Sequence, residues 1–124
     1  MAQTVLLIDD DETLRLMVGQ LLEEEGYDVI VAGDGLEALE QLENMRPDLI
    51  LLDLVMPNMD GYALEGELRR RGLRPAIPVV LLTAGADADD EMEKVGAAGC
   101  LKKPFELDTL LQTVAETVRA QTPE

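Results

Sequence analysis

Histidine is absent from this chain of 124 residues. That removes imidazole metal ligands, histidine-based triads and phosphohistidine chemistry on the chain itself. A single cysteine, Cys100, leaves no disulfide framework and no cysteine-type zinc site. Tryptophan is missing, and two tyrosines and one phenylalanine are the whole aromatic content. The core must therefore be aliphatic. Basic residues are scarce too: 10 Lys and Arg stand against 26 Asp and Glu, a net charge of −16. So acidic a surface repels nucleic acid and anionic membranes, and direct DNA binding is not expected. No apolar run approaches membrane-spanning length, and no targeting segment precedes the first one. The expectation is a soluble, cytoplasmic protein forming one domain over 1–124, with its core at about 4–119.

What is there is organised around the stretch from Asp48 to Gly61, DLILLDLVMPNMDG. Leu49 to Leu52 reads as a strand buried on both faces. The run ends on Asp53, a carboxylate placed where a core strand should emerge. Pro57 disfavours a helix immediately after it. Asn58 and Asp60-Gly61 are turn residues. Strand-then-helix proteins place ligands at that edge of the sheet.

Taken in order, Thr4 to Ile8 is a first strand, followed by the acids Asp9, Asp10, Asp11 and Glu12. Asp11 is placed to cap a helix carrying Leu14, Val18, Leu21 and Leu22, which Gly26 should stop. Asp28 to Ala32 is a second strand. After the Gly33-Asp34-Gly35 turn, Leu36, Leu39 and Leu42 mark a second helix. A third helix runs from Tyr62 to Arg71 around Leu64 and Leu68. Val79 to Leu82 is a fourth strand ending on Thr83. A fourth helix, about Asp87 to Val95, has only Met92 and Val95 as apolar anchors, and few contacts should leave it mobile. Gly99 to Lys102 is a fifth strand, ending on Lys103-Pro104-Phe105. The last helix carries the stripe Leu107, Leu110, Leu111, Val114 and Val118. Such alternation makes an α/β fold with a five-stranded parallel sheet covered on both faces. The doubly wound, flavodoxin-like order 2-1-3-4-5 brings Asp9 and Asp10 beside Asp53, with Thr83 and Lys103 on the same edge.

Like charges gathered in one crevice repel. At about 5 Å and an effective dielectric near 20, one pair costs roughly 3 kcal/mol. A cation relieves that cost, and Mg²⁺, a hard ion satisfied by one or two carboxylates, fits best. Thr83 can donate to a phosphoryl oxygen and Lys103 supplies a compact positive charge. Asp53 can then act as a carboxylate nucleophile for phosphoryl transfer.

These residues resemble response-regulator receiver domains of two-component signalling, of the single-domain, chemotaxis-regulator kind. Asp9-Asp10, Asp53 with Met56-Pro57 and Asp60-Gly61, Thr83-Ala84, and Lys103-Pro104-Phe105 all occur in that family's order and spacing. The resemblance implies that Asp53 accepts a phosphoryl group from a sensor histidine kinase or histidine phosphotransfer protein. It implies Mg²⁺ bound by Asp10, Asp53 and the backbone carbonyl of Val55, with Asp9 acting mostly through water. Thr83 and Lys103 would hold the phosphoryl oxygens, and a cis bond is implied before Pro104. It further implies a non-enzymatic switch read by a downstream protein at the face made by helix four, strand five and helix five. With no output domain after helix five, the expectation is a stand-alone receiver read by docking, or a fragment of something longer.

The sequence also departs from that pattern. Where the family usually carries an aromatic residue that swings inward on activation, this chain has Cys100. Val55 and Gly85 replace polar side chains near the attacking water, so loss of the phosphoryl group should be slow. Two other readings of the residues stay open: a phosphohydrolase turning over through Asp53, and a non-phosphorylated docking module of a larger regulator. Val55 argues against the first, since haloacid-dehalogenase-type hydrolases carry a second acid at that position.

Overall fold

The computed structural model describes residues 2–56, 58–85 and 87–121. The expected break at Pro57 lies outside them. Five strands, β1 (Thr4–Ile8), β2 (Asp28–Ala32), β3 (Leu49–Asp53), β4 (Val79–Thr83) and β5 (Gly99–Lys102), alternate with five helices. The helices are α1 (Glu12–Glu24), α2 (Gly35–Leu42), α3 (Gly61–Arg70), α4 (Ala88–Val95) and α5 (Leu107–Gln121). All strand pairs are parallel, in the order β2-β1-β3-β4-β5 expected from the alternation.

The apolar runs form the middle of the sheet because both their faces are covered. Every residue of β3 and β4 is buried. Successive side chains point to opposite faces. Leu6, Ile8, Ile50, Leu52, Val79 and Leu81 therefore pack with Ala38, Leu39, Leu64, Leu68 and Val95 of α2, α3 and α4. Val5, Leu7, Leu49, Leu51, Val80 and Leu82 pack on the other face with Val18, Leu22, Leu110, Val114 and Val118 of α1 and α5. Cys100 is partly buried against the α2–α3–α4 side.

Three helices start on aspartate caps. The side chains of Asp11, Asp34 and Asp60 accept from the backbone N–H groups of Leu14, Glu37 and Ala63. Each cap stabilises its helix by about 1 kcal/mol. Gly26, at φ 95°, follows α1 in the left-handed conformation that favours glycine. The α4 helix differs: Asp87 is its N-cap by position but makes no side-chain cap bond, and the helix begins at Ala88, one residue after the expected start. The α3 helix runs one residue earlier than expected, Gly61 to Arg70, with Arg71 as its C-cap.

Two apolar positions expected on helix stripes are corrected. Leu107, the first of the α5 stripe, is 37% exposed. Leu36 is 51% exposed, and the buried face of α2 is Gly35, Ala38, Leu39 and Leu42. Gly35 takes the place Leu36 was expected to fill because Met59 packs directly on it; a Cβ there would lie 2.7 Å from Met59 Cγ. The Lys103-Pro104 bond is cis, as the resemblance implied, and so is Arg74-Pro75.

Candidate functional site

In-register pairing brings the ends of β1, β3, β4 and β5 to one edge. Ile8 pairs with Leu52, Asp53 with Leu82, and Thr83 with Lys102. The residues that follow or end these strands are Asp9, Asp53, Thr83 and Lys103. The structure brings all four to the same edge, with Asp10 beside them.

Asp9 is fully buried. One carboxylate oxygen accepts from the Asp11 N–H at 2.9 Å, and the other accepts from Lys103 Nζ at 2.7 Å. Its backbone carbonyl accepts from Arg15 Nη1 at 2.8 Å. Asp53 is also buried, and its Oδ1 accepts from the Val55 N–H at 3.1 Å. Its Oδ2 lies 3.5 Å from Lys103 Nζ. Asp10 is exposed. Lys102 is exposed as well, so strand alternation assigns Lys103 alone to the edge.

Burial pushes the Asp53 carboxyl above the ordinary carboxylate range. The Val55 N–H opposes that, the Asp9 charge adds to it, Lys103 opposes it and Asp10 adds to it. For Lys103, burial disfavours the ammonium. The hydrogen bond to Asp9 and the charges of Asp53 and Asp9 outweigh that and raise its pKa. One lysine thus partly neutralises a crevice holding three acids. Asp9, Asp10 and Asp53 each offer a carboxylate oxygen, all within 4.8 Å of one another. Hard oxygen donors at that spacing fit a hard divalent cation.

Leu54 and Gly61 bring the polypeptide on either side of the turn after Asp53 into close contact. The Gly61 N–H donates to the Leu54 carbonyl at 2.9 Å. A Cβ on Gly61 would stand 2.7 Å from Leu54 Cα, so only glycine allows this approach. Asn58 adopts φ 67°, which asparagine tolerates, and its amide donates to Asp34 Oδ2 at 2.7 Å. Val55 projects outward, 80% exposed.

Thr83 is at the edge, but its hydroxyl donates to Glu91 Oε1 of α4 at 2.8 Å. Sequence reasoning missed Glu91, because nothing marks it among the acids of that helix. It also missed Arg15, and the buried pair of Glu65 with Arg74. Arg74 donates to Glu65 Oε1 at 2.7 Å, to the Ile77 carbonyl at 2.6 Å, and to the carbonyls of Val95 and Gly96 at 2.9 Å each. An arginine beside the Pro75–Pro78 loop was the available signal, and its partners lie nine or more positions from it except for Ile77.

The response regulator receiver domain family matches residues 5–115, nearly the whole fold. The chain belongs to this family. The receiver domain is 40% identical to the alkaline phosphatase synthesis transcriptional regulatory protein PhoP of Bacillus subtilis, over 85% of this chain and 44% of that protein. It is 37% identical to the DNA-binding response regulator MtrA of Mycobacterium tuberculosis, over all of this chain and 54% of that one. The chain spans about half the length of these curated relatives. Among solved structures, the chemotaxis response regulator CheY4 of Vibrio cholerae superposes with a TM-score of 0.87 at 35% identity, over 94% of this chain and 99% of that one. The receiver domain of the Francisella response regulator 1452 gives 0.86 at 32% identity, over 97% and 99%.

Proposed function

We propose that this receiver domain accepts a phosphoryl group on Asp53 from the phosphohistidine of a sensor kinase or histidine phosphotransfer protein. The observation that carries the reading is the Asp53 carboxylate, buried at the end of β3 between one ammonium and two further acids. An Asp53 oxygen forms the new O–P bond while the donor's N–P bond breaks, and the electron pair leaves on the imidazole nitrogen. The donor imidazole must come from the partner, since this chain has no histidine.

Asp10, Asp53 and the Val55 carbonyl would hold Mg²⁺, with Asp9 acting mostly through water. The ion, when bound, supplies charge neutralisation for the phosphoryl oxygens. Lys103 sits to pair with one phosphoryl oxygen, and the Thr83 hydroxyl donates to another once it leaves Glu91. Neither Val55 nor Gly85 offers a side chain to orient an attacking water, so the acyl phosphate is long-lived. An asparagine at position 55 should shorten its half-life, and an unchanged half-life would refute that part.

The domain, 1–124, acts as a switch in the cytoplasm rather than as a turnover enzyme. Among the described residues no helix is long and apolar enough to cross a membrane. The downstream protein docks on the face made by α4, β5 and α5. The direct experiment is phosphotransfer from labelled candidate histidine kinases. The wild type should take the label and Asp53→Ala should not. Equal labelling of both chains would overturn the assignment.

A further inference from the structure

The Thr83–Glu91 hydrogen bond ties the end of β4 to the first turn of α4. A hydroxyl has one proton to donate. The Thr83 oxygen accepts from the Gly85 N–H at 3.1 Å, and its proton goes to Glu91 at 2.8 Å. In this arrangement Thr83 offers no donor to an oxyanion on Asp53. A carboxylate acceptor makes the bond charge-assisted and stronger than a neutral one.

The two ends of α4 are held differently. At its C-terminal end, Arg69 and Arg74 both donate to the Val95 carbonyl at 2.9 Å, and Arg74 also reaches Gly96. Val95 is the one fully buried residue of the helix. At its N-terminal end Asp87 provides no side-chain cap, and Asp89 and Asp90 are exposed. Glu91 is half-buried and joins that turn to the site. Cys100 lies within reach of the same charge: burial raises its thiol pKa, and Glu91 and Asp89 raise it further.

We propose that Glu91 is a positioning residue that withholds the Thr83 proton from the phosphoryl site, so that phosphoryl binding at Asp53 breaks the Thr83–Glu91 bond and frees the first turn of α4. The inference rests on the reading of Asp53 as phosphoacceptor. Once Thr83 turns to the phosphoryl group, Glu91 loses the Thr83 donor and negative charge is added to the edge it was tied to. Asp89 and Asp90 add to the repulsion, while the Arg74 clamp keeps the far end in place. The helix then pivots about Val95. This route from Thr83 to α4 needs no aromatic ring at position 100.

The test is a titration with beryllofluoride, a tetrahedral phosphoryl mimic, at saturating Mg²⁺, followed by amide NMR. The chains are wild type, Glu91→Ala, Glu91→Gln, Thr83→Val and the Thr83→Val/Glu91→Ala double variant. Glu91→Ala should lower the half-saturating concentration about tenfold, the size expected for releasing one charge-assisted bond. Glu91→Gln keeps an acceptor oxygen and should give a smaller gain. In the Thr83→Val background the gain from Glu91→Ala should vanish, because the two residues act through one bond. Hydrogen exchange of the 89–92 amides should speed up when the mimic binds wild type, and should already be fast in Glu91→Ala. An equal gain in both backgrounds would mean a bare charge effect and overturn the latch alone. So would saturable binding to wild type with no difference in Glu91→Ala. If wild type neither binds the mimic nor gains mass from acetyl phosphate, the phosphoacceptor reading fails and takes the latch with it.

Discussion

Lys103 Nζ lies 2.7 Å from Asp9 Oδ2, and Asp9 is fully buried. The same ammonium is 3.5 Å from Asp53. Without it, three acids would face each other with no lysine between them. Lys103→Met keeps the aliphatic stem and removes the charge. It should destabilise the metal-free domain by about 2 kcal/mol at neutral pH, less than for a fully buried pair because the lysine is partly solvated. The pKa of Lys103 is raised in the fold, so its contribution is complete below the unfolded value of 10.5 and is lost only as pH rises through the folded one. Urea unfolding at pH 7 measures it, and an unchanged midpoint would contradict the pairing.

Asp53 has the opposite effect on stability at neutral pH. Its pKa is raised, chiefly by burial. A raised acid contributes stability that is complete below the unfolded value of 3.8 and lost as pH rises through the folded one. Asp53→Asn should therefore melt a few degrees higher than wild type at pH 7 without metal. The gap should close on acidification through the range where Asp53 protonates in the fold. A variant that melts lower at pH 7 would show that the ionised carboxylate is not under strain.

Magnesium linkage follows from the carboxylate oxygens of Asp9, Asp10 and Asp53, which lie within 4.8 Å of one another. An ion at ten times its dissociation constant stabilises the fold by about 1.4 kcal/mol. For a domain of this size that is a melting shift of about 4 °C. Asp10→Asn should abolish most of the shift and raise the metal-free melting temperature by relieving repulsion. A full shift in Asp10→Asn would remove that residue from the metal site.

The strand ends were legible in the sequence because each apolar run stops on its candidate site residue. Leu49–Leu52 stops on Asp53 and Val79–Leu82 on Thr83. In both cases the strand includes that residue, since pairing continues one position further. The cap at Asp11 was legible too, being a local side-chain-to-backbone bond, whereas Asp34 and Asp60, read as turn residues, prove to cap α2 and α3. Glu91, Arg15 and the Glu65–Arg74 pair were not. Their roles depend on where helices lie over the sheet, and no short-range spacing encodes that. Leu36 was misplaced because hydrophobic spacing assigned it to the core, while close packing of Met59 put Gly35 there instead.

Arg74 joins the α3–β4 loop to the C-terminal end of α4 through Glu65, Ile77, Val95 and Gly96. Its side chain is 2% exposed. Arg74→Ala leaves the buried Glu65 without this partner and the Ile77 and Gly96 carbonyls without this donor, while the Val95 carbonyl keeps only Arg69, and should cost about 3–5 kcal/mol. Arg74→Lys should recover little, since a single ammonium cannot serve the groups the planar guanidinium reaches. Denaturant midpoints of both variants decide this; a loss below about 1 kcal/mol in Arg74→Ala would contradict the clamp.

The central claim is that Asp53 is the nucleophile toward phosphorus. Intact-mass measurement after incubation with acetyl phosphate and Mg²⁺ tests it most directly. The wild type should gain the mass of one phosphoryl group, and neither Asp53→Ala nor a chelator-treated sample should gain any. No added mass on the wild type, under conditions where a melting shift shows the metal bound, would contradict the account.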